Sequence, residues 1–392
     1  MDVRIACQSP LPLWIQPDHS VTAEFYYRCF LPAQVTGGVV DTRLLAPPAS
    51  VRALMNPAAY EGTEPVSLFA LGTPTVFKFL GMRCPSQVPV IEAINRAGGN
   101  AWIDVDDDYF DLPPAGEFLA RLPDSARVNL FGTAEEPAVE QWRARCMEDF
   151  ARALRVATGV VVSTPALAEV VRPYNGNVVL VPNMIDAEHM HPVARLHDDV
   201  LRIGYGASIL HGGADLQLVL PALLQCARLP RTELHFWSVH PPGQPSLQPG
   251  SYDLDGVRYH YHPCAANFPE YVAQISVLDI AVAPQADTPT NRARSHGKWL
   301  EHALQATAMV VSDTPSYADV EHGVTGFKAR DADEFVTYVL RLATDAELRR
   351  KIGEAAQDCC LRRHSPRALG PAIRARIEHS AQARPPATQA GG

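Results

Sequence analysis

Short apolar runs alternate along the chain with stretches whose apolar positions recur every three or four residues. Residues 3–7, 66–71, 101–105, 159–163 and 178–181 are brief, rich in β-branched or other apolar side chains, and bounded by Gly, Pro, Asn or Asp, so each predicts a strand. Helical periodicity falls at 89–97, 138–156 and 165–171. The same alternation restarts in the second half. Strands are predicted at 201–205, 234–237, 257–261, 280–283 and 309–312, with helices at 216–229, 269–275, 298–305, 332–342 and 345–360. Strand–helix alternation favours a parallel sheet covered on both faces. Residues 186–200 are polar and lack periodicity, as an interdomain linker does. The expected architecture is α/β, with two Rossmann-like domains facing across a cleft. Their bounds are 1–188, a linker at 189–200, and 201–365. A closing helix at 366–380 would pack back on the first domain, and the Ala-, Pro-, Gln- and Gly-rich tail 381–392 is expected to be disordered.

Composition narrows the function classes. The chain has 392 residues, 47 % of them apolar and 20 % charged, as in ordinary globular proteins. Its net charge of −9 argues against a general nucleic-acid binder, which needs an excess of Lys and Arg. No apolar run reaches the ~20 residues of a membrane helix, and the first residues read as a buried strand rather than a signal peptide. The eight cysteines are scattered apart from Cys359-Cys360 and read as reduced thiols. A cytoplasmic protein is expected, with peripheral contact with the inner face of a membrane left open. His260-Tyr261-His262 offers two imidazoles on one strand face, but the sequence brings no third ligand near them, so no metal centre is expected.

The block from Asn291 to Ala303 holds the strongest chemical signal. It follows the strand 280–283 and the polar loop 284–290, which puts it at the carboxyl end of a strand. Ser295 is in place to cap a helix, and the spacing of Arg294, Lys298 and Glu301 predicts one helical face. A helix N-terminus with two cations and a hydroxyl suits a diphosphate. Glu301, one turn deeper, can accept hydrogen bonds from the vicinal hydroxyls of a ribose. Taken by itself, the spacing also fits a solvated helix with an i,i+3 Lys–Glu pair.

This block resembles the nucleotide-sugar motif of retaining GT-B glycosyltransferases of the family-4-like (group 1) type. Arg294, Ser295, Lys298 and Glu301 match an N-x-x-K-S-x-x-K-x-x-E segment with Arg in place of the first Lys, followed by Met309–Ser312-Asp313, Tyr317 and Gly323-Val-Thr-Gly326-Phe327. The E-x7-E form is absent, because Ala293 stands eight residues before Glu301. Val160–Ala168, Pro182-Asn183-Met184-Ile185-Asp186, the Gly204-Tyr205-Gly206-Ala207-Ser208…His211…Asp215 turn and Ala343–Arg349 resemble further segments of the same group. The resemblance covers residues 155–365; the first ~150 match in outline only. It implies a donor site in the second domain, made by Gly206, Ser208, His211, Ser295, Lys298 and Glu301, and an acceptor site in the first.

Two other motifs compete. Gly204-Tyr205-Gly206 after a strand could open a dinucleotide fingerprint, but Ile209 stands where the third glycine belongs. Asp104-Val105-Asp106-Asp107-Asp108 ends a predicted strand and contains the D-x-D that holds a divalent cation in GT-A enzymes. The same carboxylates fit a turn, or a cleft-facing role with Asp106 as a catalytic candidate and Asp104, Asp107 and Asp108 on the acceptor side. Crowded like charges should also raise at least one of their pKa values. Residues 72–74 would face the cleft too, and no His lies between His19 and His189, so the acceptor-side His of the resembled group has no counterpart.

Together these readings imply a glycosyltransferase that moves a sugar from a UDP- or GDP-sugar to a saccharide, lipid-linked or other hydroxyl acceptor. Retention, metal independence and closure over the donor rest on the resemblance. Arg294 and Lys298 would stabilise the leaving diphosphate, Glu301 would hold the ribose, and no cofactor is implied. A non-catalytic nucleotide-sugar-binding subunit, a metal-dependent transferase using Asp104 and Asp106, and an NAD enzyme stay open as alternatives.

Overall fold

The computed structural model describes residues 3–7, 13–15, 23–41, 66–69, 75–79, 88–96, 99–111, 136–190, 193, 199–206, 212–237, 250–254, 256–263, 265 and 267–382. The chain divides into two compact units. The first takes Met1–Leu112, Glu140–Asn183 and Leu369–Gly392, and the second Pro113–Val139 and Met184–Ala368. The crossing at Asn183–Met184 falls earlier than the expected boundary at 188. Asn183 accepts a hydrogen bond from Arg28 of the first unit, whereas the Ile185 N–H donates to the His364 carbonyl of the second.

The first unit holds β1 (Val3–Cys7), β2 (Leu13–Ile15), β3 (Val39–Asp41), β4 (Val66–Phe69), β5 (Thr75–Lys78), β6 (Ala101–Val105), β7 (Gly159–Val162) and β8 (Val178–Leu180). Six of them form a sheet in the order β3-β2-β5-β6-β7-β8, with every pairing parallel. β1 and β4 pair with each other, also in parallel. β6 and β7 are buried at every position, as strands covered on both faces must be. Residues 23–36 make a helical stretch that is π-helical over Tyr26–Phe30, where Tyr26 packs on Tyr27 and Phe30. The helix Pro366–Gln382 closes this unit. Arg374 donates to the Val35 carbonyl (3.1 Å) and Arg376 to that of Leu180 (3.1 Å).

The second unit holds β9 (Leu201–Gly206), β10 (Thr232–Trp237), β11 (Gly250–Leu254), β12 (Val257–His262), β13 (Ile280–Ala283), β14 (Ala308–Ser312) and β15 (Phe327–Ala329). They form one sheet in the order β11-β12-β10-β9-β13-β14-β15, parallel except for the β11–β12 edge pair. The chain therefore builds outward from β9 to β10 and β12, returns, and builds the other way through β13, β14 and β15. This is the doubly wound arrangement, with a topological switch point between β9 and β13. On one face Ile203, Tyr205, Leu234, Phe236, Tyr259 and Val282 join a core with Leu216, Val219 and Leu223 of helix Gly212–Cys226 and Phe335 and Val339 of helix Ala332–Thr344. Helix Phe268–Ile275 lies over the other face, where Gln274 accepts from the Trp237 indole (3.2 Å). Helix starts are capped as the side-chain chemistry dictates: Asn267, Thr288, Asp331 and Asp345 each accept a backbone N–H three residues on. Five cysteines are free thiols among the described residues, and no described helix is long and apolar enough to cross a membrane.

Candidate nucleotide-sugar site

In a doubly wound sheet, ligands bind beyond the carboxyl ends of the strands that flank the switch point. Here those ends are Gly206 of β9 and Ala283 of β13. The chain after β13 folds into a short helix, Pro289–Ala293, capped by the Thr288 hydroxyl, and then into helix Gly297–Leu304. Asp215, in the first turn of helix Gly212–Cys226, accepts from the Ala286 N–H (2.7 Å) and the Asn291 amide (3.1 Å). Asn291 in turn accepts from Arg294 Nη1 (2.9 Å). Buried Asp215 and Asn291 thus tie the segments after β9 and β13 together and hold the Arg294 side chain.

Arg294 and Lys298 do not share a helix, contrary to the expectation from their spacing. Arg294 is the extended residue that ends Pro289–Ala293 (φ −67°, ψ 156°), and Thr288-Pro289 starts that helix where the sequence reads as a loop. The next helix starts later than expected, with His296 rather than Ser295 at its N-cap and no side-chain cap bond. Lys298 and Glu301 do lie one turn apart, with Lys298 Nζ 3.2 Å from Glu301 Oε2. The carboxylate is deep, 3 % exposed, and the Lys298 side chain above it is 37 % exposed.

Tyr271, not singled out from the sequence, completes the cluster. Its hydroxyl accepts from Lys298 Nζ (3.0 Å), and the ammonium stands 4.6 Å from its ring centroid. A Cβ on Gly206 would lie 3.1 Å from this hydroxyl, so the end of β9 stays bare to admit it. Burial works against the Lys298 ammonium, but the adjacent Glu301 carboxylate and Tyr271 outweigh it and hold its pKa above the ordinary value. Burial pushes the Tyr271 phenol up to about 12, against the pull of Lys298. The Tyr205 hydroxyl, at the end of β9, is buried without a hydrogen-bond partner among the described residues. Burial, then Asp215, raise its pKa, and both Lys298 and Arg294 oppose that rise. The switch point therefore presents two cations, two buried carboxylates, Asp215 and Glu301, and three phenols, counting Tyr317, on which both cations also act. Ser208 and His211 lie outside the described residues, as do residues 72–74.

The acidic run of the first unit is engaged internally. Asp104 does not face an acceptor: it is fully buried on β6 and takes two hydrogen bonds from Arg28, at 3.1 and 2.7 Å. Arg28 also donates to the Val181 carbonyl (2.6 Å) and to Asn183 (3.0 Å). Burial lifts the Asp104 carboxyl above the usual range, against the pull of Arg28. Lys78, buried at the end of β5, donates to Asp106 (2.5 Å) and to the Phe79 carbonyl (2.9 Å). Burial opposes its charge, and Asp106 and Asp104 outweigh that, so its pKa rises. Asp108 is buried, accepts from the Phe110 N–H (2.9 Å), and has its pKa raised by burial first. Asp106 and Asp107 remain half-buried. Arg28 and Lys78 are the residues that sequence reasoning missed here.

Buried histidines make the second unit acid-sensitive, His302 and His296 among them. Burial pushes His302 down to about 3, helped by Lys298 one turn away. Burial also lowers His296, helped by His364 and opposed by Asp319. Both stay neutral in the folded state, whereas an unfolded His takes up a proton below pH ~6.5. The folded pKa values are depressed, so this share of stability is complete above pH ~6.5 and is lost as pH falls towards the folded values. The expected slope is about 1.4 kcal/mol per pH unit for each histidine. Calorimetry from pH 7 to 4 should show the midpoint of the second unit falling, and His302→Gln should flatten the fall. A flat wild-type profile would count against the buried neutral state.

The chain matches no protein-family model and no curated protein. Solved structures do match. Anabaena HepE in complex with UDP-glucose superposes with a TM-score of 0.55 at 13 % identity, over 95 % of this chain and 100 % of that one. Sucrose-phosphate synthase from Thermosynechococcus elongatus gives 0.56 at 12 % identity, over 95 % and 99 %. TarM gives 0.53 at 10 % identity over 78 % of this chain, which spans 54 % of TarM's length. At these identities the likeness shows the fold, the GT-B class of mixed α/β fold with parallel sheets.

Proposed function

We propose that this protein transfers a sugar from a nucleoside-diphosphate sugar to an acceptor hydroxyl, with retention and without a catalytic metal. The observation that carries this reading is the cluster of Arg294, Lys298, Glu301 and Tyr271 at the carboxyl side of the β9/β13 switch point. Arg294 and Lys298 supply fixed positive charge where a leaving diphosphate gains negative charge, so they stabilise the transition state more than the ground state. Glu301, oriented by Lys298, is the acceptor for ribose hydroxyls. The two cations take the part a divalent metal plays elsewhere. A metal on Asp104 and Asp106 would have to displace the Arg28 and Lys78 ion pairs. HepE in complex with UDP-glucose puts UDP first among the nucleotides to try.

The test is a thermal-shift series with UDP, GDP, ADP, CDP and dTDP, with and without EDTA, on wild type and Glu301→Ala. A diphosphate at 100 times its Kd adds ~2.7 kcal/mol. One nucleotide should stabilise wild type, in EDTA as well, and fail on the variant. No shift with any nucleotide would sink the proposal, and a shift abolished by EDTA would favour the metal-dependent alternative. The engaged carboxylates of the first unit favour one second reading, a nucleotide-sugar-binding subunit without turnover. Donor hydrolysis or transfer by the purified chain separates the two.

A further inference from the structure

On the face of the second sheet opposite its aromatic core, β10 and β12 run parallel with His235 beside His260 and Trp237 beside His262. Strand alternation puts Glu233 on the same face as His235. The groups converge. His235 Nε2 lies 3.5 Å from Glu233 Oε2, and His260 Nε2 lies 3.9 Å from Glu233 Oε1. All three ligand atoms fall within 4.8 Å of one another. We propose that Glu233, His235 and His260 bind a divalent transition metal of the zinc type, with water in the fourth position.

The geometry fits the chemistry. Zinc–ligand bonds of ~2.0–2.1 Å set tetrahedral ligand–ligand edges of about 3.3 Å. The His235–Glu233 separation of 3.5 Å is already close to this, whereas the His260–Glu233 separation of 3.9 Å and that between the two imidazoles, within 4.8 Å, must shorten as the side chains close on the ion. Two imidazoles and one carboxylate form a borderline donor set, which favours zinc, cobalt, nickel or copper over magnesium or calcium. A supporting shell is already built. His235 Nδ1 sits 3.0 Å from His262 Nε2, and Trp237 stacks on His262 at 4.4 Å. If Nδ1–H donates to His262, the lone pair of His235 Nε2 points at the site, as ligand histidines are oriented elsewhere. That nitrogen is buried and has no hydrogen-bond partner among the described residues, on a residue 7 % exposed. A metal ion supplies the missing partner. Arg202 Nε, 3.4 Å from Glu233 Oε2, anchors the carboxylate from β9 and is the one cation that competes for it among the described residues' ion pairs. The residues next to His260 and His262 in sequence supply no third ligand. The parallel register brings it from the neighbouring strand.

This proposal is independent of the glycosyltransferase reading, and so is its test. The full-length protein is stripped with chelator, dialysed, and titrated with Zn²⁺ by calorimetry and with Co²⁺ by visible absorption. One equivalent of Zn²⁺ should bind, and Co²⁺ should show the intense absorption of a four-coordinate site. Glu233→Gln and His260→Ala, at half-exposed positions, should each weaken binding by about tenfold or more. Circular dichroism checks that both fold. His235→Ala should abolish binding. His296→Ala, in the separate His296–Asp319–His364 cluster, should leave it unchanged. The proposal is overturned if wild type shows no saturable Zn²⁺ binding, if binding survives the combined Glu233→Gln and His260→Ala change, or if His296→Ala removes it.

Discussion

Arg28→Met is expected to destabilise the first unit by about 3–5 kcal/mol, the usual cost of removing one partner of a buried ion pair. The guanidinium is fully buried and makes four hydrogen bonds, two to Asp104 and one each to the Val181 carbonyl and Asn183. Without it, Asp104 is left charged or protonated in an apolar strand, and its carboxyl is already lifted by burial. At ~2–4 °C per kcal/mol for a unit of this size, the thermal midpoint should drop by roughly 10 °C. Arg28→Met with Asp104→Leu should recover most of the loss, because the orphaned charge goes with its partner. An unchanged midpoint in the single variant would show that the pair holds nothing together.

For the transfer reaction proposed above, Lys298→Ala is expected to lower kcat by about 10²–10³, the range seen when one preorganised donor to a developing negative charge is removed. The effect should fall on kcat more than on donor KM, because the charge it meets grows in the transition state. Lys298→Arg keeps the charge but not the contact with Tyr271, so it should recover part of the rate. The substrate is the sugar derivative of whichever diphosphate gives the thermal shift. A full rate in Lys298→Ala would remove this residue from the mechanism and leave Arg294 to carry the charge alone.

Much of the second sheet is legible in the sequence because its strands are buried on both faces. The 280–283 and 309–312 runs are continuous and apolar, and β13 and β14 occupy them to within a residue. Capping chemistry is equally local, and Asn267, Asp331 and Asp345 mark their helices without help from the rest of the chain. The omissions have physical causes. β2 and β3 are three residues each, and β5 is four residues that end in a lysine, too little pattern for a period to emerge. Arg28 reads as a surface charge until its partner, 76 residues away, is in place. The Arg294–Lys298 spacing suggested a single helix because spacing says nothing about the extended residue between two short ones. Thr288-Pro289, a capping residue followed by a proline, is the local signal that would have revealed the extra helix. Tyr271 reads as one more residue of an amphipathic helix, and only the fold of that helix over β9 brings its hydroxyl to Lys298.

The placement of helix Pro366–Gln382 bears on how the chain is made. Arg374 and Arg376 bind backbone carbonyls of segments synthesised long before them, and Gly370 sits against Val35, where a Cβ would come within 3.1 Å of its side chain. The first unit is therefore begun by segments made before the second unit and closed by one made after it. Domains ordinarily mature in the order of their synthesis. Here the second unit has all its described strands available while the first still waits for its final helix. A nascent chain halted before Pro366 would hold an open first unit, a natural stage for chaperone engagement, and loss of helix Pro366–Gln382 would harm the first unit more than the second, which precedes it along the chain.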